Sequence, residues 1–446
     1  MPLDPDTLRR AARARVVGNV RVDAAPSAAE VESDGARLLN AGATDLLGLG
    51  ADPRVREALQ AALRRHGLAR APRSRAQLEL EERLARLLGA AAAVALEDAS
   101  GALAALEALG ALVDTRAHRL LPRGLAVASP EDAERALTAT PGAPLVVGAV
   151  DELAGDLCPL HRFAEAAQRA GAPLLVLDTA GLGVLGPAGL GAVESLGLAD
   201  QVALQGLTFG QAIPGTGAVF AGPAPVVDAL RGTAPPPPTA LLAATSRALE
   251  LATAEAPRRA RAFDVAQHLV DGLRGLGLDT GPCVTPWIPV WMGDEAVCGQ
   301  WLRALADGGV ACRALLAGAR SRLLVSMPAT ATDAQVDTVL EAFGKVARRL
   351  KPAELDAAWR GPVLLARPGS FALATPCAPH WREVPTPATP PPPPAEAAPA
   401  PAASLRARLF DAVETLTWRA TNVRGGKLGL PGGEALKALL DRRRRR

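Results

Sequence analysis

Leu174–Ala192, LLVLDTAGLGVLGPAGLGA, opens as an unbroken apolar run that stops at Asp178 and passes directly into glycines. A run of that length and composition reads as a strand buried on both faces. The aspartate then sits at the strand's carboxyl end, the edge of a parallel sheet where α/β proteins bind ligands. Gly181, Gly183 and Gly186 match G-x-G-x-x-G. Pro187-Ala188-Gly189 is a poor start for the helix that a dinucleotide fingerprint requires, so the glycines need another explanation.

Working outward, Pro144–Val150 and Gly217–Ala221 read as further strands, with Leu160–Ala170 as a helix between strands. Apolar residues recur at helical spacing in Pro53–His66 and Gln77–Leu88, and Gly101–Leu112 is expected as a third helix. Strands alternating with helices predict an α/β fold with a mainly parallel sheet flanked by helices. Two long helices, Thr239–Ala252 and Pro257–Gly275, lead to a smaller α+β unit. That unit runs as strand Val284–Met292, helix Glu295–Asp307, strands Val310–Leu316 and Arg322–Met327, and helix Asp333–Leu350. The expected organisation is an N-terminal segment (1–45), a large domain (46–255), a small C-terminal domain (256–352), an irregular Pro/Ala-rich linker (353–402) and a basic tail (403–446).

The 49% hydrophobic content supports a sizeable core, although aromatics are only 3% and tyrosine is absent. Formal charge is +3, but the tail from Ala403 onward carries eleven Lys/Arg against four Asp/Glu, which leaves the first 402 residues at −4. The body is therefore not a nucleic-acid binder by charge. In the tail, Leu405, Leu409, Val413 and Leu416 fall on one helical face flanked by Arg406, Arg408 and Arg419. That face suits weak contact with a partner protein or an anionic membrane. Five cysteines without a Cys-x-x-Cys pair predict neither a disulfide framework nor a zinc site. The charged segment Met1–Val17 lacks an apolar core, and Leu87–Leu96, the longest proline-free apolar run, is too short to span a bilayer. A cytoplasmic protein is the expectation.

Several stretches, in order, carry a resemblance. Asp45-Leu46-Leu47-Gly48-Leu49 is followed by Asp52-Pro53-Arg54-Val55; Leu78–Gly89 follows; then come Ser100-Gly101, Gly155-Asp156-Leu157 with Pro159-Leu160, and the Asp178 segment. Over roughly residues 40–350 the chain resembles the α-oxoamine synthases, a group of fold-type-I enzymes dependent on pyridoxal phosphate (PLP). The resemblance implies a PLP-transferase-like large domain with a smaller C-terminal domain, paired into a dimer with sites at the interface. It also implies that Asp178 faces the pyridine nitrogen and that Ser100, Gly101 and Thr208 lie at the cofactor.

The departures fall on the same site. The family's T-[FL]-S-K-A, whose lysine forms the aldimine, is matched by Thr208-Phe209-Gly210-Gln211-Ala212, and no lysine occurs before Lys345. A glutamine amide cannot form an imine. The family's histidine three residues past the aspartate is Gly181, and the carboxylate-binding arginine of R-L-R-I-S falls on Leu324. The stacking histidine's N-H-A-S motif is missing, and His118 lies nearby without motif support.

The resemblance with these losses leads to the expectation of a non-catalytic subunit or regulator. It would pair with a lysine-bearing paralogue, as the lysine-less large subunit of serine palmitoyltransferase does in that family. Two alternatives stay open. One is a homodimer that holds PLP noncovalently, or another small anion, on Asp178, Ser100 and Thr208. The other is an active enzyme using Cys158, with His161 nearby, as its nucleophile.

Overall fold

The computed structural model describes residues 15–350 apart from Ala69, Ala71, His118, Arg119, Glu152, Leu153 and Pro282. The linker, the tail with its amphipathic face, and His118 lie outside the described residues.

The chain opens with β1 (Arg15–Gly18) and the hairpin β2 (Glu30–Ser33) and β3 (Ala36–Asn40), then runs into α1 (Pro53–His66) and α2 (Arg75–Leu87). Asp52 sets the start of α1. Its carboxylate accepts the Arg54 amide, with proline in the first turn. The same carboxylate also takes the guanidinium groups of Arg54 at 2.8 Å and Arg258 at 3.0 Å. The Arg54 side-chain bond leads in holding Asp52 down at about 2.

β4 (Ala92–Leu96), α3 (Ser100–Glu107), β5 (Leu112–Asp114), β6 (Leu125–Val127), α4 (Pro130–Ala139) and β7 (Leu145–Gly148) follow. The short hairpin β8 (Val150–Asp151) and β9 (Asp156–Leu157) precedes α5 (Leu160–Arg169) and β10 (Leu174–Asp178). Then come α6 (Ala192–Ser195), β11 (Leu204–Thr208), β12 (Ala218–Gly222), α7 (Ala224–Leu230), α8 (Thr239–Ala254) and α9 (Ala256–Gly275). Seven of these strands form one sheet in the order β4-β12-β11-β10-β7-β5-β6. β6, β5, β7, β10 and β11 are parallel neighbours, and β12 runs antiparallel to both β11 and β4. All five residues of β10 are buried at its centre, as the apolar run requires.

The smaller layer holds β13 (Ile288–Trp291), α10 (Glu295–Asp307), β14 (Val310–Ala311), β15 (Arg313–Leu316), β16 (Arg322–Val325) and α11 (Asp333–Arg349). Its sheet is ordered β1-β15-β16-β13, so the first described strand of the chain closes the edge of the last sheet. α11 begins with a capping box between Thr332 and Gln335. Trp301 and Phe343 centre the core beneath the sheet, with ring centroids 6.1 Å apart.

Three sequence expectations need correction. The Gly101–Leu112 helix ends at Glu107, because Gly110 at φ +70° turns the chain and Leu112 starts β5. Val310–Leu316 is two strands in different sheets: β14 pairs with β3, and β15 pairs with β1 and β16. Within Val284–Met292 only Ile288–Trp291 is strand.

Candidate functional site

Asp178, Ser100, Gly101, Thr208 and Gln211 all fall at the carboxyl edge of the parallel strands, the last three residues past β11. The side-chain oxygens of Asp178 and Thr208, however, are turned onto the protein itself. Asp178 is 3% exposed. One of its carboxylate oxygens accepts the amides of Gly181 at 2.5 Å and Ala180 at 3.4 Å, and the other accepts the Ala192 amide at 2.7 Å. The glycine loop thus folds over its own strand end, and the glycines are what permit it. A Cβ at Gly181 would lie 2.3 Å from the carboxylate, and one at Gly191 2.4 Å. Gly183 closes the loop against the Ala212 and Ile213 side chains. Asp178 therefore caps this turn, and the G-x-G-x-x-G spacing reflects packing.

The Thr208 hydroxyl donates to the Thr179 carbonyl at 2.7 Å. The Ser100 amide donates to Asp98 at 2.8 Å, and the Thr233 carbonyl covers Gly101, where a Cβ would come within 2.3 Å of it. Gly210, in the place of the family's serine, has φ +98°, a conformation that strains a serine. The donor set does not fit PLP as the resemblance implies: the imine-forming amine is an amide, and the carboxylate meant for the ring nitrogen is bound by backbone N–H groups.

Gln211, at the same edge, borders a cavity of about 180 Å³ with Val16, Trp287, Arg313, Leu324 and Ser326, and its buried side-chain oxygen has no hydrogen-bond partner. Leu324, the position of the missing arginine, pairs in register with Arg313 on β15, which lines the same cavity. Arg313 was not singled out in the sequence, because only the β15–β16 register brings it there. Trp287 lines the cavity, whereas Trp291 stacks under Arg322 at 4.3 Å. Lys345 sits in a different groove, between α10 and α11.

A second polar cluster escaped sequence reading. Arg116, just past β5, lies 3.3 Å from Asp114 and 3.6 Å from Asp156 on β9. One Asp156 oxygen and the Arg116 Nε are buried without a hydrogen-bond partner. Burial, with Asp151 adding to it and Arg116 opposing it, pushes Asp156 up to about 6. A carboxyl raised in the folded state contributes stability that is complete below its unfolded value and is lost as pH rises through about 6. Asp156→Asn keeps the neutral form. Relative to this variant, the parent is expected to lose on the order of 1–3 kcal/mol between about pH 4 and about pH 7.5, read from urea midpoints. A constant difference across that range would refute the assignment.

Cys158 adjoins this cluster. It is buried, and desolvation drives its thiol well above the ordinary range, so the thiolate that a nucleophile needs is suppressed. Among the described residues no group of His, Cys, Asp and Glu could hold a metal ion, and His268 pairs with Asp337 at 2.9 Å on the surface. No described helix is long and apolar enough to cross a membrane.

The parallel-cored seven-stranded sheet with its smaller α+β layer is the fold-type-I arrangement. Serine palmitoyltransferase from Sphingomonas wittichii superposes with TM-score 0.69 at 22% identity, covering 77% of this chain and 97% of that one. A variant of the S. paucimobilis serine palmitoyltransferase, solved with a bound PLP–myriocin aldimine, gives 0.68 at 24%, covering 74% and 92%. No family model matches the chain. The 8-amino-7-oxononanoate synthase of Anaeromyxobacter sp. (strain K) is 34% identical over 364 residues, 73% of this chain and 90% of the relative. That of Halorhodospira halophila is 34% identical over 365 residues, again 73% and 90%. The chain belongs to the α-oxoamine synthase family of fold-type-I PLP enzymes.

Proposed function

We propose that the chain is a non-catalytic subunit of an acyl-thioester:amino-acid condensing enzyme and acts beside a lysine-bearing paralogue. The observation that carries this reading is Gln211 in the place of the aldimine lysine, in a body with no lysine before Lys345. The inward-turned Asp178 supports it, since its carboxylate is buried and directs its hydrogen bonds to backbone amides of its own loop. PLP, the cofactor named in the structures of relatives, would then be held by the paralogue. The chemistry it supplies there is stabilisation of the carbanion formed from the amino acid. This chain's part is to complete the interface.

Affinity purification of the tagged chain from its native cells tests the pairing, followed by reconstitution with whatever co-purifies. A lysine-bearing family member is expected in near-stoichiometric amount, with condensing activity that depends on this chain. A paralogue equally active alone would sink the proposal.

A further inference from the structure

We propose that the groove between α10 and α11 receives the chain's own next segment, residues 352–359, which turns back at Lys351-Pro352 and lays Leu355 and Trp359 between the two helices. The inference stands apart from the pairing proposed above.

The groove has a volume of about 410 Å³. Ala304, Ala342 and Val346 give it a small apolar floor, the last two buried, and Arg303, Lys345 and Arg349 stand exposed along it. Arg303 lies on α10 and the other two on α11, so cations flank the floor from both helices. None of the three forms an ion pair with a described residue. The occupant that such a lining favours is apolar along its middle and acidic on both sides.

The chain brings one to the spot. α10 and α11 run antiparallel, as the strands that feed them do, and a Cβ at Gly308 would lie 3.7 Å from that of Ala342. Leu350, about two turns beyond Ala342, therefore stands at the Gln300 end of the groove, and its φ of −122° and ψ of 128° take the chain out of the helix there. Pro352 cannot continue α11 but suits the first turn of a new helix. At about 100° per residue, Pro352, Leu355 and Trp359 then share one face, with Glu354 on one side of it and Asp356 on the other. Residues 352–359 in a helix span about 12 Å, the same length as residues 300–307 of α10 along the groove. Arg360 follows at the end where Asp307 stands, the carboxylate among the described lining residues. Elsewhere in residues 351–402 acidic residues occur singly, at Glu383 and Glu396, and the tail beyond is net positive, so no other nearby stretch offers this match.

Hydrogen exchange of the full chain, read by mass spectrometry, tests this. A segment so short is not stably helical in water by itself, so protection of its amides requires packing. Exchange across residues 353–359 is expected to be at least about tenfold slower than in an open chain, and equally so after about tenfold dilution of the protein. Trp359→Ala removes the larger apolar contact, and the double variant Arg303→Glu with Lys345→Glu reverses the groove's charge at two exposed positions. Each is expected to speed exchange in the segment at least about fivefold. Protection elsewhere in the chain reports whether the groove variant is folded, and Trp359→Ala, beyond α11, carries the test if it is not. Open-chain exchange of the segment in the parent would overturn the proposal. So would protection that fades on dilution, which would put another copy's segment in the groove, or protection that either folded variant leaves unchanged.

Discussion

Gly181→His, which restores the residue the family carries after its aspartate, is expected to destabilise the chain by about 3–5 kcal/mol. Even the first side-chain atom has nowhere to go, since a Cβ at this position lies 2.3 and 2.6 Å from the two Asp178 oxygens. The carboxylate has to swing away. It then gives up the amides of Gly181 and Ala192, which it accepts at 2.5 and 2.7 Å. Each buried amide left unmet costs about 1–3 kcal/mol. Urea unfolding of Gly181→His and Gly181→Ala reads the effect, and a double-mutant cycle assigns its cause. In the Asp178→Ala background, which is itself destabilised, adding Gly181→Ala is expected to cost less than about 1 kcal/mol, because the atoms it would meet are gone. Full stability of both Gly181 single variants would mean that the loop does not cap Asp178. The wider consequence is that a histidine at this position is incompatible with the loop as folded, because the Asp178 carboxylate occupies its space.

What could be read from the sequence divides along physical lines. β10 was legible because four consecutive apolar residues stop at a carboxylate, and α1 because Asp52-Pro53 announces a helix start. β4, AAVAL, β5, LVD, and β11, LQGLT, were not: all are short, and the alanines of β4 and the glycine of β11 carry little strand preference. The Gly110 turn was hidden for the same reason, inside a stretch that remains apolar on both sides of it. At the site, identities were legible and directions were not. The motif places Gln211 where a lysine is expected, and Asp178 at a sheet edge. Nothing in the one-dimensional pattern says that the Asp178 oxygens face backward onto Gly181 and Ala192. Nor does it say that Arg313 stands across the strand pair from Leu324. The Arg116–Asp156 contact joins residues forty positions apart and depends on how the β8–β9 hairpin folds back.

Gln211→Lys is expected to change the chemistry of the cavity more than any other single substitution. The new amine would replace a side chain whose polar end is buried, with no aspartate or glutamate among the described lining residues. Desolvation disfavours its ammonium form, so its pKa is expected to fall from ~10.4 to about 8. For a base depressed in the folded state, the cost is absent above the unfolded value and grows as pH falls toward the folded one. The variant should therefore approach the parent's stability near pH 10.5 and lie on the order of 3 kcal/mol below it at pH 7. A second readout is independent of folding energetics. A partly neutral, desolvated amine is nucleophilic near neutral pH, whereas ordinary lysines are protonated there. Reductive methylation with formaldehyde at about pH 7.5, followed by mass spectrometry, should modify position 211 ahead of Lys345, Lys351, Lys427 and Lys437, which serve as internal standards. An amine that reacts no faster than those four, in a variant whose stability tracks the parent's across pH, would show that position 211 is wet. The expected result instead makes the surroundings at 211 capable of activating an amine, so that the glutamine side chain, and not collapse of the cavity around it, is what withholds imine chemistry there.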